Sequence, residues 1–300
     1  MREIEVIAPA KVNFFLETKY KREDGYWELD TVFQTLEWGD RLVVRENSDF
    51  KFSCSWKFLE NRENLVVKAV ELMRESLSVD KGVDIYLEKK IPAGSGLGGG
   101  SSDAAAVMKA LNVLWDLNLG MEKLKELSSC LGSDVSFFIE GGTCQGKGRG
   151  EIIKPLSPLP SWEVFLLIFP FPLFTTDIYA SLKPPVNLRD SRDIIQAIRE
   201  KSQEKVIHFL FNRLEEVVLR KVPFLKSVKK ELQEQGWKTL VSGSGPTLFG
   251  LMKKEEEKNY LREWGEMRGV DIIFTRIDSR KRERRDEYGG YGCPDKDSSP

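Results

Sequence analysis

Apolar and polar residues alternate along the first twenty positions. Ile4, Val6, Val12, Phe14 and Leu16 fall in period two around Ala8-Pro9-Ala10, which predicts extended structure over 2–19. The stretch KREDGY at 21–26 carries turn chemistry. Further strands are expected at 31–36, 41–44 and 83–87. Leu65, Ala69, Leu72 and Met73 share one face at three- and four-residue spacing, so 65–77 reads as an amphipathic helix. Ala104, Val107, Leu111 and Leu114 repeat that spacing, and Ala105 and Ala106 add helix propensity, giving a helix over 101–115. Another helix is predicted from about Met121 to Leu131, with Gly132 closing it, and the apolar runs 135–139 and 164–169 read as buried strands. The proline-rich KPLSPLPSW between those runs marks a domain boundary near residue 155.

Beyond it, helices are expected near 192–199, 205–221 and 224–235, then a strand at 238–242 and the turn Gly243-Ser244-Gly245-Pro246. A strand at 247–252, a helix over 255–268 and a strand at 271–277 complete an α+β unit around a small antiparallel sheet. The chain thus divides into a domain over 1–155, a second over 156–278, and a segment 279–300. That segment has six basic and five acidic side chains and almost no aliphatic ones, and reads as a disordered tail.

Composition narrows the chemistry. Three hundred residues, 41% hydrophobic and 31% charged, fit ordinary globular domains. A net charge of −1 gives no global attraction for nucleic acid or an anionic membrane, so neither is expected as a partner. Cys54, Cys130, Cys144 and Cys293 lie 76, 14 and 149 residues apart, which excludes a zinc knuckle and a redox dithiol. The single histidine, His208, excludes a multi-histidine metal centre and falls in an apolar helical stretch, where it reads as structural. No apolar run approaches the ~20 residues of a membrane span. The charged N-terminus does not read as a signal peptide, and a cytoplasmic protein is expected. Carboxylate, lysine, hydroxyl and backbone groups are left to do the work.

The run IPAGSGLGGG at 91–100 holds five glycines directly ahead of the predicted helix. Gly94-Ser95-Gly96-Leu97-Gly98-Gly99 formally satisfies GxGxxG. Yet it stands more than 90 residues into the chain, and no acidic residue closes a second parallel strand where a dinucleotide fold needs one. Gly100-Ser101-Ser102 lacks the lysine of a Walker A loop. What remains is a loop whose N–H groups can converge on phosphate oxygens at a helix N-terminus, with Ser101 and Ser102 as hydroxyl donors. A hinge or a tight helix–sheet contact is the alternative.

Three separated segments point to a family. Pro9-Ala10-Lys11-Val12-Asn13, the run from Pro92 to Ser102, and Ser242-Gly243-Ser244-Gly245-Pro246-Thr247 resemble, in order and spacing, the three motifs of the GHMP small-molecule kinases. Asp24-Gly25-Tyr26, Val32-Phe33-Gln34, Asn64-Leu65, GLGGGSSDAAA and Leu131-Gly132-Ser133-Asp134-Val135 are most similar to members acting on 4-diphosphocytidyl-2-C-methyl-D-erythritol. The likeness spans about 4–277. It implies a two-domain α+β GHMP kinase fold: an N-terminal domain like ribosomal protein S5 domain 2, a C-terminal ferredoxin-like domain, and a site between them. The implied reaction is ATP-dependent phosphorylation of the 2-hydroxyl of the methylerythritol moiety, a step of non-mevalonate isoprenoid synthesis. ATP is the cosubstrate and Mg²⁺ accompanies it, in a monomer or homodimer. Another GHMP activity, or a nucleotide-binding homologue without catalysis, is the alternative.

By the same resemblance Asp134 is the general base, and Lys11 beside it orients the hydroxyl and stabilises developing alkoxide character. Asn13 holds the substrate. Pro92, Ala93, Gly94, Ser95, Gly96, Leu97, Gly98, Gly99, Gly100, Ser101 and Ser102, with Asn64, bind ATP. Tyr26, Phe33 and Tyr179 surround the cytosine, and Gly243, Ser244 and Gly245 complete the substrate site. No residue is assigned to the metal. The family usually reads Asp-Gly-Tyr-His where this chain has Trp27 after Tyr26. Trp27 keeps a π surface and one N–H donor but no acceptor nitrogen, so hydrogen-bond selection for cytosine is expected to weaken there.

Overall fold

The computed structural model describes residues 2–279. The tail predicted for 279–300 therefore lies, from 280 onward, outside the described residues, as does Cys293.

Two long strands, β1 (Glu3–Lys21) and β2 (Trp27–Asn47), form an antiparallel ribbon. The strands predicted at 31–36 and 41–44 are one, because Gly39 lets the ribbon cross itself closely: a Cβ there would stand 2.1 Å from the Ala8 carbonyl oxygen. Pairing slips between Pro9 and Lys11 and again between Asn13 and Phe15. Pro9 has no N–H for the ladder, and such irregularities re-aim the side chains beside them, here Lys11 and Asn13.

After the ribbon come β3 (Phe50–Cys54), α1 (Leu65–Leu77), β4 (Gly82–Glu88), α2 (Gly99–Leu114), α3 (Met121–Ser128), α4 (Ser133–Glu140), β5 (Thr143–Gly148) and β6 (Ile152–Pro155). Helix α2 packs on the ribbon between α1 and α4. Val66, Val70, Met73, Val107, Leu111 and Phe137 form the core there. The run 135–139, predicted as a strand, is helix α4, and Gly132 precedes that helix instead of closing the one before it. Val135, Ser136, Phe137, Phe138 and Ile139 are all buried. A run that is apolar on every side carries no periodicity to tell a buried helix from a buried strand.

The remaining elements are β7 (Glu163–Ile168), α5 (Thr175–Ala180), α6 (Arg192–Arg199), α7 (Gln203–Phe209), β8 (Phe211–Asn212), α8 (Glu215–Lys221), α9 (Pro223–Glu234), β9 (Leu240–Val241), β10 (Leu248–Leu251), α10 (Glu257–Arg268) and β11 (Asp271–Arg276). The second sheet runs β11-β7-β10-β9, with every pairing antiparallel. The first runs β3-β4-β2-β1-β8, with β5 on β2 and β6 on β5. Strand β8 comes from the second half of the chain yet pairs in parallel with β1, so the helix predicted over 205–221 is broken in two. The Asn212 amide then donates to the carbonyls of Val241 and Gly243 at 2.7 and 2.8 Å, tying the first sheet to the second glycine turn. His208 is exposed at the end of α7 with its ring edge-on to Phe209, so it is not a core residue. Among the described residues, no helix is long and apolar enough to cross a membrane.

Candidate active site

The two glycine turns meet where the sheets come together. Gly94, Gly96 and Gly98 all have left-handed backbone, with φ of +66°, +79° and +75°. That fold presses Gly96 onto the second turn, where a Cβ would lie 2.1 Å from the Ser242 carbonyl oxygen. The carbonyls of the loop are taken by the protein. Gly94 accepts from the Leu173 N–H, Ser95 from the Thr247 N–H, Gly96 from the Ser242 hydroxyl and Leu97 from the Lys11 N–H. The N–H groups that open α2 have no intrahelical partner and are left for an anion, with the helix dipole behind them. The hydroxyls of Ser95 and Ser102 are buried and without hydrogen-bond partners, a deficit that native structures rarely carry without a ligand or water to relieve it.

Lys11 reaches the same point from β1. Both turns leave it room by lacking a Cβ: one on Gly98 would stand 3.2 Å from Lys11 Cε, and one on Gly243 3.0 Å from Lys11 Nζ. The ammonium donates to Asn13 Oδ1 at 2.7 Å and lies 3.6 Å from Asp134 Oδ2. Burial pulls the Lys11 pKa below the ordinary lysine range, and the Asp134 charge opposes that only in part. Asn13 in turn donates to Thr31 Oγ1 at 2.9 Å, and Thr31 donates to the Phe15 carbonyl at 2.7 Å. Asn13 is therefore committed at both ends and orients Lys11. Asp134 projects from the first turn of α4, partly open to the cleft. Tyr179 on α5 faces it, and burial together with the Asp134 charge pushes the phenol pKa above its usual value.

A cavity of about 820 Å³ runs from the loop past Lys11 and Asp134 to the β1–β2 turn. Of the residues singled out in the sequence, Lys11, Asn13, Tyr26, Trp27, Phe33, Asn64, Pro92, Ala93, Gly94, Ser95, Gly96, Gly98, Gly99, Gly100, Ser101, Asp134, Tyr179, Gly243 and Ser244 line it. Leu97, Ser102 and Gly245 do not. Leu97 and Ser102 are buried behind the loop, and Gly245 backs onto Val241 and Val218. Asn64 caps α1, accepting the Val66 N–H at 2.9 Å. Phe33 is buried and stacked on Phe137 at 4.6 Å, with Lys11 Nζ 5.7 Å from its ring, so it walls the lysine end. Tyr26 stands at the mouth with the Arg149 guanidinium 4.9 Å from its ring centre. Sequence reasoning missed Lys89, Asp103, Arg149 and Thr175, all of which line the cavity. Thr175 was visible only as the start of Thr175-Thr176-Asp177-Ile178-Tyr179, the family-like segment that singles out Tyr179; its hydroxyl meets Ser244 Oγ at 2.8 Å across the cleft.

A glycine loop that opens a helix toward a buried lysine and a carboxylate in one cavity suits phosphoryl transfer to a small molecule. The chain belongs to the GHMP kinase family: the GHMP kinases N terminal domain matches residues 64–142 and the GHMP kinases C terminal domain residues 194–267. It is 40% identical to the 4-diphosphocytidyl-2-C-methyl-D-erythritol kinase of Shouchella clausii over 275 residues, 89% of this chain and 92% of that protein. It is likewise 40% identical to the kinase of the same name from Bacillus subtilis over 255 residues, 83% of this chain and 88% of that one. A crystal structure of 4-(cytidine 5'-diphospho)-2C-methyl-D-erythritol kinase superposes with a TM-score of 0.77 at 34% identity, covering 91% of this chain and 99% of that one. Homoserine kinase from Cytophaga hutchinsonii shares the fold at 18% identity and a TM-score of 0.72, over 93% of this chain and 96% of that one.

Proposed function

We propose that this kinase transfers the γ-phosphoryl group of ATP to the 2-hydroxyl of 4-diphosphocytidyl-2-C-methyl-D-erythritol, in non-mevalonate isoprenoid synthesis. The observation that carries the reading is the Lys11–Asp134 pair, 3.6 Å apart, opposite the N-terminus of α2. The hydroxyl oxygen attacks the γ-phosphorus, the bond to the β-phosphate oxygen breaks, and ADP leaves with that electron pair. Asp134 accepts the hydroxyl proton, and Lys11, oriented by Asn13, steadies the oxygen as charge develops on it. Most of the rate comes from positioning, because phosphoryl transfer asks little covalent chemistry of the protein.

Mg²⁺ would accompany the nucleotide and would supply neutralisation of phosphate charge. Tyr26 and Tyr179 are the aromatic walls for the base. The enzyme works in the cytoplasm, as a monomer or homodimer, and Cys54 and Cys130 are free thiols.

The test is ATP turnover with 4-diphosphocytidyl-2-C-methyl-D-erythritol, its uridine counterpart, mevalonate and homoserine. Turnover of the cytidine compound with preference over uridine is expected. Turnover confined to another member of that panel would move the substrate and sink this reading.

A further inference from the structure

Against the glycine loop, at the edge of the same cavity, lies a largely buried cluster that the phosphoryl-transfer mechanism does not use. Asp40 on β2 and Asp103 on α2 are almost wholly inaccessible, and the Lys89 side chain, just past β4, enters between them. Lys89 Nζ donates to Asp103 Oδ2 at 2.7 Å and to Asp40 Oδ2. The other oxygen of Asp40 accepts the N–H groups of Lys90 and Ile91, the residues that lead into the loop. At the loop's far end, a Cβ on Gly99 would stand 3.2 Å from Lys89 Nζ. The cluster therefore touches the loop where it begins and where it becomes helix α2.

We propose that Asp40, Lys89 and Asp103 are positioning residues for the nucleotide, a brace that holds both ends of the glycine loop and sets two carboxyls against one ammonium. The inference rests on the reading of that loop as the ATP phosphate site. Two carboxylates against one ammonium would leave a negative charge beside N–H groups that must attract phosphate oxygens, in surroundings where charge is poorly screened. One proton removes the excess. Asp103 Oδ1 is buried with no hydrogen-bond partner, and both carboxyls meet the same ammonium. Burial, opposed by Lys89 and aided by Asp40, raises the Asp103 pKa to about 8. Burial lowers the Lys89 pKa, but Asp103 and Asp40 outweigh it, so the ammonium stays charged while that proton leaves. The other titratable groups nearby are Cys54 at the end of β3, whose thiol burial pushes up, and Glu60 beyond it, which accepts from the Cys54 N–H and from Lys57.

The experiment is calorimetric titration of the full chain with MgATP from pH 7 to 9.5, above the range where ATP itself takes up protons, so that no second substrate is needed. Wild-type Kd is expected to rise about tenfold across the range with its midpoint near 8, the size of one partly screened charge. Asp103→Asn, which mimics the protonated acid, should bind at least as tightly as wild type at pH 9.5 and show a flat profile. Lys89→Met should weaken ATP by about tenfold at pH 7, and Lys89→Arg should recover most of it. Steady-state kinetics should place the Lys89→Met defect in the KM for ATP, with the KM of the alcohol changed by less than about twofold. A wild-type profile that is flat, or one that Asp103→Asn reproduces, overturns the proposal. If Lys89→Met fails to fold, the isosteric Asp103→Asn profile decides alone. ATP binding with this pH dependence but no turnover of the cytidine compound would retire the substrate assignment and leave the brace standing. Absence of ATP binding by the wild type would overturn both the loop reading and the brace.

Discussion

At the loop end of the cleft Lys11 and Asn13 are buried and held, and Asp134 opens only partly to the cleft. Lys11 is wedged between Gly98 and Gly243, Asn13 is bonded at both ends, and Asp134 issues from the start of a packed helix. At the other end Tyr26 is 53% exposed, and Arg149 leans on it without a side-chain hydrogen bond among the described residues. The two ends answer different demands. Charge that develops only in the transition state is met best by groups that need no reorganisation, whereas a flat base can be gripped by area and polarisability. Under the proposed function, rigid burial serves the chemistry and half-exposed aromatic surface serves recognition. Substitutions should divide the same way, with turnover lost at the first end and affinity at the second.

The largest effect belongs to Asp134. Asp134→Asn keeps shape and packing but cannot accept the hydroxyl proton, so kcat should fall by roughly two to four decades. The calorimetric Kd for MgATP should stay within about twofold, since the carboxylate makes no contact that only the nucleotide needs. Wild-type turnover in Asp134→Asn would break the comparison outright, because the buried end would then hold no group essential to proton transfer.

How much of this contrast could be read from the sequence follows from what each feature is made of. The glycine loop announces itself, because five glycines ahead of an alanine-rich amphipathic run have few meanings besides a close backbone approach. Lys11, Asn13 and Asp134 were legible only through their motif neighbours, for no periodicity singles out one lysine in a strand. Helix α4 was misread because its run is apolar on all sides, and β8 because two residues of strand vanish inside a helical pattern. The brace against the loop could not be read at all. Lys89 stands 49 residues from Asp40 and 14 from Asp103, and nothing local in Glu88-Lys89-Lys90-Ile91 says which lysine turns inward. Long-range charge pairing is a property of topology.

Recognition at the open end should be softer. Tyr26→Ala removes one aromatic wall, and stacking against a base is worth about 1–3 kcal/mol, so the KM for the cytidine compound should rise roughly tenfold with kcat nearly unchanged. Loss of kcat in equal measure would mean that Tyr26 also aligns the reacting hydroxyl, and the division between the two ends would blur.

Arg149 gives the finest test. It sits in the β5–β6 turn between Gly148 and Gly150, its guanidinium 4.9 Å from the Tyr26 ring centre, while its own carboxylate neighbour, Glu151, is a loose 3.9 Å away. A cation against an exposed aromatic face contributes about 0.5–1 kcal/mol. Arg149→Met keeps the length of the side chain and removes the charge, so the KM for the cytidine compound should rise about two- to fivefold, with kcat and the KM for ATP unmoved. Arg149→Lys should recover part of it, because an ammonium still finds the ring but lacks the planar face that stacks on it. The same pair of substitutions in a Tyr26→Ala background should do almost nothing, since the arginine would then have no ring to hold. A full effect of Arg149→Met in that background would show that the guanidinium reaches the substrate itself, and the open end would then recognise its ligand by directed hydrogen bonds as well as by surface.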